Sequence, residues 1–197
     1  MHALLNGGSE LPPQASPLTA LPPSLLLTPS LLLPGVQARM LQHALALFDV
    51  VLFLDSDAVV WNTSITVESM VQKLMGDSQA AFAMTQDCVN ATWCWDENKV
   101  NAGVILARRS PVTSRILAHW MNPDLEEECR QFKYQHPREQ QCLNHLMSKY
   151  YQHAIRRVPV NEMNGINGTW VRHFMGSTTE LRNDVMMGLL RERLQPS

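Results

Sequence analysis

The chain has 197 residues, of which 45% are hydrophobic, so it can bury one ordinary core and form a single domain. Its formal net charge of −2 gives no basic excess, which argues against nucleic acid or an anionic membrane surface as a partner. No stretch reaches the roughly 18 consecutive apolar residues that a membrane helix needs, so we expect any membrane anchor to belong to a longer, full-length form.

Residues 1–35 are predicted to be a disordered leader rich in Pro and Leu. Repeated proline removes backbone donors and blocks helix interiors, and the leucine triplets at 25–27 and 31–33 are each interrupted by proline. The composition changes abruptly at Gln37. We therefore place one folded domain over residues 36–197.

Hydrophobic periodicity after the leader predicts alternating helices and strands. Apolar residues between Met40 and Leu47 lie on one face of a helix, and DVVLFL (49–54) is a continuous apolar run. Such a run is typical of a parallel, central strand that is buried on both faces. The later predicted elements are a helix at 66–75, a strand at 80–84, a tryptophan-bearing loop at 85–100, a strand at 103–107, a helix from Ser110-Pro111 to 121, a loop at 122–137, a helix at 138–150, a strand at 155–160 and an amphipathic helix at 180–194. This order indicates an α/β layer.

The cysteines and the glycosylation sequons bear on the compartment of the protein. The four cysteines form two local pairs without zinc spacing, Cys88 with Cys94 and Cys129 with Cys142. Two disulfides and four reduced thiols both agree with this spacing. Three N-x-[ST] sequons occur, at Asn62, Asn90 and Asn167. The sequons favour a glycoprotein of the secretory lumen.

Two aspartates directly follow the predicted strand at 49–54. Asp55 and Asp57 stand at its carboxyl end, which is where open α/β sheets place their ligands. A turn at the small residue Ser56 is needed to aim both carboxylates at one cation, because residues i and i+2 share a side only in an extended chain. A solvated acidic turn is the alternative for such a tripeptide in isolation. After an apolar strand, the tripeptide favours a metal site that neutralises a departing diphosphate.

The same tripeptide also resembles the opening motif of haloacid-dehalogenase-like phosphatases, in which Asp55 would be the nucleophile. Such phosphatases need a late strand that ends in aspartates for Mg²⁺. Here the late acidic residues Glu180, Asp184 and Glu192 follow no predicted strand. The phosphatase hypothesis is therefore the less favoured one.

Four sequence blocks together resemble a family of transferases. FDVVLFLDSDAVVWN, VNAGVILARRSP, REQQCLNHLM and WVRHFMG occur in the order and spacing of the galactosyl/mannosyl/xylosyltransferase family of retaining GT-A enzymes. The resemblance covers about residues 37–177. It implies a GT-A-like, Rossmann-like mixed sheet flanked by helices, with the first nucleotide-binding unit incomplete because the leader cannot supply it. It also implies transfer of a hexose or pentose from a nucleoside diphosphate sugar to a glycan or glycoprotein acceptor, in the Golgi or another secretory lumen.

The resemblance assigns a metal centre to three residues. Asp55 and Asp57 would bind Mn²⁺, or Mg²⁺, together with the donor diphosphate, and His173 would complete the metal shell. A neutral imidazole suits Mn²⁺ better than Mg²⁺, which prefers oxygen ligands. The family usually has a lysine soon after this histidine, and here Arg172 or Arg182 would have to replace it.

The resemblance also assigns the donor and acceptor contacts. Glu139 and Gln140 would be the catalytic pair that positions the oxocarbenium-like sugar and the acceptor hydroxyl. Trp93 and Trp95 either stack on an acceptor sugar or pack their own loop. The predicted donor-binding residues are Asp55, Ser56, Asp57, Asn101, Ala102, Gly103 and Gly176. A degenerate homologue that binds sugar or a partner subunit without turnover is the alternative function.

Overall fold

The computed structural model describes residues 36–76, 78–90, 93–132, 138–175 and 179–194, and the predicted leader lies outside them. The helices are α1 (Val36–Leu47), α2 (Val67–Leu74), α3 (Pro111–Trp120), α4 (Glu127–Gln131), α5 (Arg138–Leu146) and α6 (Thr179–Leu194). The strands are β1 (Val50–Leu54), β2 (Ala58–Val60), β3 (Phe82–Asn90), β4 (Trp93–Val100), β5 (Val104–Arg108), β6 (Ile155–Val158) and β7 (Val171–His173). None of the helices in the described part of the chain is long and apolar enough to cross a membrane.

The main sheet is mixed, as predicted. Its strands follow the order β1-β5-β3-β4, and β6 pairs with β3 in parallel while the other pairs are antiparallel. The prediction of a parallel central strand at 49–54 is wrong, because β1 pairs antiparallel with β5 and its five residues are only half-buried. The strand with the buried run is β5, from Val104 to Ala107. An apolar run reports burial but not the direction of the neighbouring strand.

The hydrophobic core lies on both faces of this sheet. One cluster joins α1, α3 and α5 to the sheet through residues such as Leu41, Ile105 and Trp120. The other cluster joins α2 and the segment before β7 to the opposite face, through Met70 and Leu106. Successive residues of β5 therefore enter opposite clusters, as the two-residue period of a strand requires.

The segment 85–100 was predicted as a loop, and the structure shows an antiparallel hairpin of β3 and β4. Its register shifts between Gln86 and Asn90, so the side-chain alternation that signals a strand is interrupted. Cys88 and Cys94 are opposite each other in the backbone register. Their side chains lie outside the described part of the structure.

A disulfide joins Cys129 of α4 to Cys142 of α5. For this pair it resolves the alternative between bridged and reduced cysteines. The segment 122–137 was predicted as a loop, but it contains a 3-10 turn at Pro123–Leu125 and then α4. Helix α5 ends at Leu146 rather than near 150, and a π-helical turn, Met147–Tyr151, follows it.

The terminal helix α6 was predicted to be amphipathic. None of its described side chains is fully buried, and Met187 is 49% exposed. The apolar side chains of α6 that the structure describes therefore do not form a buried face.

A two-stranded ribbon positions the residues that follow β1. Strand β2 pairs antiparallel with β7, and Ala58 is opposite His173 in this register. Neither strand was predicted, because three residues are too few to show a periodicity. The ribbon brings the end of β1 next to a residue more than a hundred positions later in the chain.

Candidate active site

The turn between β1 and β2 aims two carboxylates in one direction. The backbone N–H of Asp55 donates to Gly103 O at 2.8 Å, and that of Ala58 donates to Asp55 O at 3.0 Å. Ser56 is exposed at the top of the turn. The turn that the sequence required at Ser56 is therefore present.

Asp55, Asp57 and His173 come together at this turn. Each offers one ligand atom, and these atoms all lie within 4.8 Å of one another. Asp57 Oδ1 is 3.0 Å from His173 Nε2. Carboxylate oxygens and an imidazole nitrogen are a donor set that suits Mn²⁺.

The environment of His173 leaves one ring nitrogen facing the carboxylates. The ring is buried, with 4% exposed, and Nδ1 lies 2.8 Å from Asn164 Oδ1. Because an amide oxygen only accepts, Nδ1 carries the proton and donates to it. Burial lowers the pKa of His173, although the charge of Asp57 acts in the opposite direction. In the neutral ring Nε2 is a second acceptor facing Asp57 Oδ1, and a cation between the two would stabilise this arrangement.

Asn164 fixes the orientation of the imidazole and was not identified from the sequence. It is fully buried, and its Nδ2 donates to Thr85 Oγ1 at 2.6 Å. Its backbone has φ of 79°, a conformation that asparagine tolerates better than most residues. The Asn164-Gly165 dipeptide is a turn signal that could have indicated this conformation.

Gly103 allows the backbone of the segment before β5 to approach the imidazole closely. A Cβ at this position would lie 2.1 Å from His173 Cε1 and under 3.0 Å from both ring nitrogens. Real Cβ atoms do not make such contacts. Glycine is therefore required here by the position of His173.

A second polar network adjoins this contact and is centred on Asp87, a largely buried residue of β3. Asp87 accepts hydrogen bonds from Asn101 Nδ2 at 2.9 Å and from Gln140 Nε2 at 2.8 Å. Asn101 Oδ1 accepts from the N–H of Gly103, and Gln140 Oε1 accepts from that of Ala102. The predicted Asn-Ala-Gly segment and Gln140 are thus neighbours. Sequence reasoning missed Asp87 because it was assigned to a loop.

Each aspartate of the turn has a partner from a distant helix. Arg182 Nη1 of α6 donates to Asp57 Oδ2 at 3.2 Å, and Gln37 Nε2 of α1 donates to Asp55 Oδ1 at 3.0 Å. The guanidinium of Arg172 instead stacks on the Trp61 ring, 3.4 Å from its centroid. Of the two arginines considered from the sequence, Arg182 is the one that contacts the carboxylates.

Four predicted residues have no described side chain. Trp93 and Trp95 lie in β4 and Glu139 lies in α5, each with only its backbone described. Gly176 lies outside the described residues. Their predicted contacts to donor and acceptor stay predictions.

Glu126, Glu128 and His145 form a second group whose ligand atoms lie within 4.8 Å of one another. Glu126 already accepts from Tyr150 at 2.6 Å and from Lys149 at 2.9 Å. These two hydrogen bonds lower the pKa of Glu126 to about 2. Both carboxylate oxygens of Glu126 therefore have partners, and the first group lies at the carboxyl end of β1, where open α/β sheets bind ligands, so we take the first group as the candidate site.

Comparisons with known proteins agree with this fold. Residues 31–167 match the sequence model of the galactosyl transferase GMA12/MNN10 family, and His173 and α6 lie beyond the matched residues. The structure is similar to the crystal structure of a glycosyltransferase involved in the glycosylation of the major capsid of PBCV-1. That similarity has a TM-score of 0.57 at 15% sequence identity and covers 88% of this chain and 81% of the other, so it concerns the fold. No curated protein matches the sequence.

Proposed function

Because the chain belongs to the galactosyl transferase GMA12/MNN10 family of glycosyltransferases, we propose that it moves a hexose or pentose from a nucleoside diphosphate sugar to a glycan or glycoprotein, with retention of anomeric configuration. The observation that supports this most is the convergence of Asp55, Asp57 and His173 at the carboxyl end of β1. These residues would hold Mn²⁺ or Mg²⁺. When bound, the cation would neutralise the negative charge that develops on the leaving diphosphate.

Arg182 would contact the diphosphate from the other side of Asp57. Its Nη1 donates to Asp57 Oδ2, and its buried Nε has no hydrogen-bond acceptor among the described residues. An unpaired buried donor is costly, and a phosphate oxygen would satisfy it through a charge-assisted hydrogen bond. Arg182 would thus take the role of the lysine that the family usually has after the histidine.

The segment Asn101-Ala102-Gly103 would form the wall beside the donor sugar. Asn101 and Gln140 both hydrogen-bond to Asp87, which fixes this segment against α5. A fixed wall favours positioning of the reacting sugar. We include Glu139 and Gln140 as the residues that position the sugar and the acceptor hydroxyl.

Contacts with the rest of the donor and with the acceptor complete the proposal. Ser56 and Gly176 would contact the donor, and Trp93 and Trp95 would stack on the acceptor sugar. The disulfide between Cys129 and Cys142 supports an oxidising compartment, such as the Golgi or another secretory lumen.

One observation favours the alternative function, a sugar-binding homologue without turnover. The ion pair of Arg182 with Asp57 balances the charge of a carboxylate that would otherwise attract a cation. The phosphatase hypothesis has no comparable support, since the chain matches a glycosyltransferase family.

Hydrolysis of a panel of nucleoside diphosphate sugars tests the proposal. We expect one donor to be hydrolysed slowly in the presence of Mn²⁺ and not in the presence of a chelator, because water can replace the acceptor. Hydrolysis is measured from the release of the nucleoside diphosphate, and sugar binding is measured by calorimetry. Sugar binding without hydrolysis at any Mn²⁺ concentration would instead support the alternative without turnover.

Substitution of Asn164 tests the orientation of His173. We expect Asn164→Gly and Asn164→Ala to weaken Mn²⁺ binding about equally, by roughly 10- to 100-fold, since both remove the acceptor of His173 Nδ1. The Asn164→Ala variant should be less stable than Asn164→Gly by about 1–2 kcal/mol, because φ of residue 164 is positive. Calorimetry gives the affinity and chemical denaturation the stability. Wild-type affinity in both variants would show that this hydrogen bond does not support a metal ligand.

A further inference from the structure

Gln37 of α1 has one polar atom bonded to the site and one that lacks a partner. Its Nε2 donates to Asp55 Oδ1 at 3.0 Å. Its Oε1 is buried, and no described residue donates a hydrogen bond to it. Both atoms belong to one planar amide, so the unpaired oxygen lies beside the Asp55 carboxylate.

A buried acceptor without a donor costs about 1–3 kcal/mol, so such an atom needs an explanation. Asp55, which Gln37 contacts, belongs to a group of acceptors with Asp57 and His173, whose ligand atoms all lie within 4.8 Å of one another. A concentration of acceptors favours a ligand that brings positive charge and hydrogen-bond donors. A hydrated divalent cation does both, since Mn²⁺ and Mg²⁺ keep some of their water in protein sites.

We propose that Gln37 is a positioning residue of the cation site, an inference that rests on the proposed function. Its Nε2 orients Asp55, and its Oε1 accepts a hydrogen bond from a water that hydrates the cation held by Asp55 and Asp57. Residues that hold the ligands of a metal in this way affect its affinity without touching it. Gln37 is thereby assigned to the binding of the cation and not to the packing of α1.

Two substitutions of Gln37 separate these roles, with Mn²⁺ alone as the probe. Gln37→Met keeps the length of the side chain but removes both polar atoms, and we expect its Kd for Mn²⁺ to rise at least about tenfold by calorimetry. Gln37→Glu loses the Nε2 donor to Asp55 but keeps an acceptor and adds a negative charge that attracts the cation, so we expect its Kd to stay near the wild-type value or to fall. Without Mn²⁺, Gln37→Met should melt at the wild-type temperature or above, because it removes a buried acceptor. Gln42→Met, at an exposed position of the same helix, is the matched control and should change neither quantity.

The outcomes distinguish this inference from the function on which it rests. If the wild type binds Mn²⁺ and Gln37→Met binds it equally well, Gln37 has no part in the site and the inference alone fails. A different result would be that Mn²⁺ binding weakens equally in Gln37→Met and Gln37→Glu, with both variants melting below the wild-type temperature in the absence of Mn²⁺. That result would assign Gln37 a packing role and overturn the inference as well. If the wild type itself does not bind Mn²⁺, the cation site fails and takes the proposed metal-dependent function with it.

Discussion

The variant Gly103→Ala is expected to lose cation binding and about a hundredfold of its activity, because the added methyl would displace His173. The Cβ would lie 2.1 Å from His173 Cε1, whereas carbon atoms in contact are about 3.5–4.0 Å apart. The ring is buried and its Nδ1 donates a hydrogen bond to Asn164 Oδ1, so the ring can move away only by breaking this bond. A displacement of this size costs roughly a hundredfold in rate, and the overpacking costs about 1–3 kcal/mol of stability.

The matched control is Gly188→Ala in α6, where a Cβ would meet nothing within 4 Å. Alanine there should stabilise the helix by about 1 kcal/mol and leave Mn²⁺ binding unchanged. The double variant Gly103→Ala with His173→Ala should be more stable than Gly103→Ala alone, since it removes the overlapping ring. Chemical denaturation measures the stability, and calorimetry the Mn²⁺ affinity, of the wild type and these three variants. A Gly103→Ala protein that binds Mn²⁺ normally would rule out His173 as a ligand.

The second large effect is expected for Asp57→Asn, which should abolish the stabilisation by Mn²⁺ and lower donor hydrolysis by roughly a hundredfold or more. Asp57 faces His173 through Oδ1 and Arg182 through Oδ2, so it links the histidine to the arginine. Loss of its charge weakens one proposed cation ligand, and the several kcal/mol that a metal supplies correspond to at least two powers of ten in rate. For the wild type, Mn²⁺ at about 100 times its Kd should add about 2.7 kcal/mol of stability.

Thermal melting with and without Mn²⁺ checks this expectation. Asp184→Asn removes a carboxylate of the same type from an exposed position of α6, and it should respond to Mn²⁺ like the wild type. An equal rise of melting temperature in Asp57→Asn and the wild type would mean that Mn²⁺ binds elsewhere.

The sequence predicted the elements of this fold better than their pairing. The apolar run at 49–54 and the Ser110-Pro111 helix start are local signals, and both elements are present as β1 and α3. Strand direction and neighbours depend on contacts far along the chain, which is why β1 was placed wrongly. The hairpin of β3 and β4 was missed because its irregular register conceals the alternation.

The difference between local signals and long-range contacts applies to the candidate site as well. The resemblance to a family brought Asp55, Asp57 and His173 together, although 116 positions separate Asp57 from the histidine. Gln37 and Asn164 were missed because an amide shows its role only through the atoms beside it. Neither periodicity nor motif spacing contains that information.

The bridge between Cys129 and Cys142 has a consequence for Gln140 in the first turn of α5. Cys142 is two residues from Gln140, whose amide holds Ala102 and Asp87 in place. Reducing agents in a purification buffer would break the covalent link between α4 and α5. The position of the Gln140 amide would then be less constrained. We therefore expect the redox state of a preparation to affect the proposed donor site as well as folding.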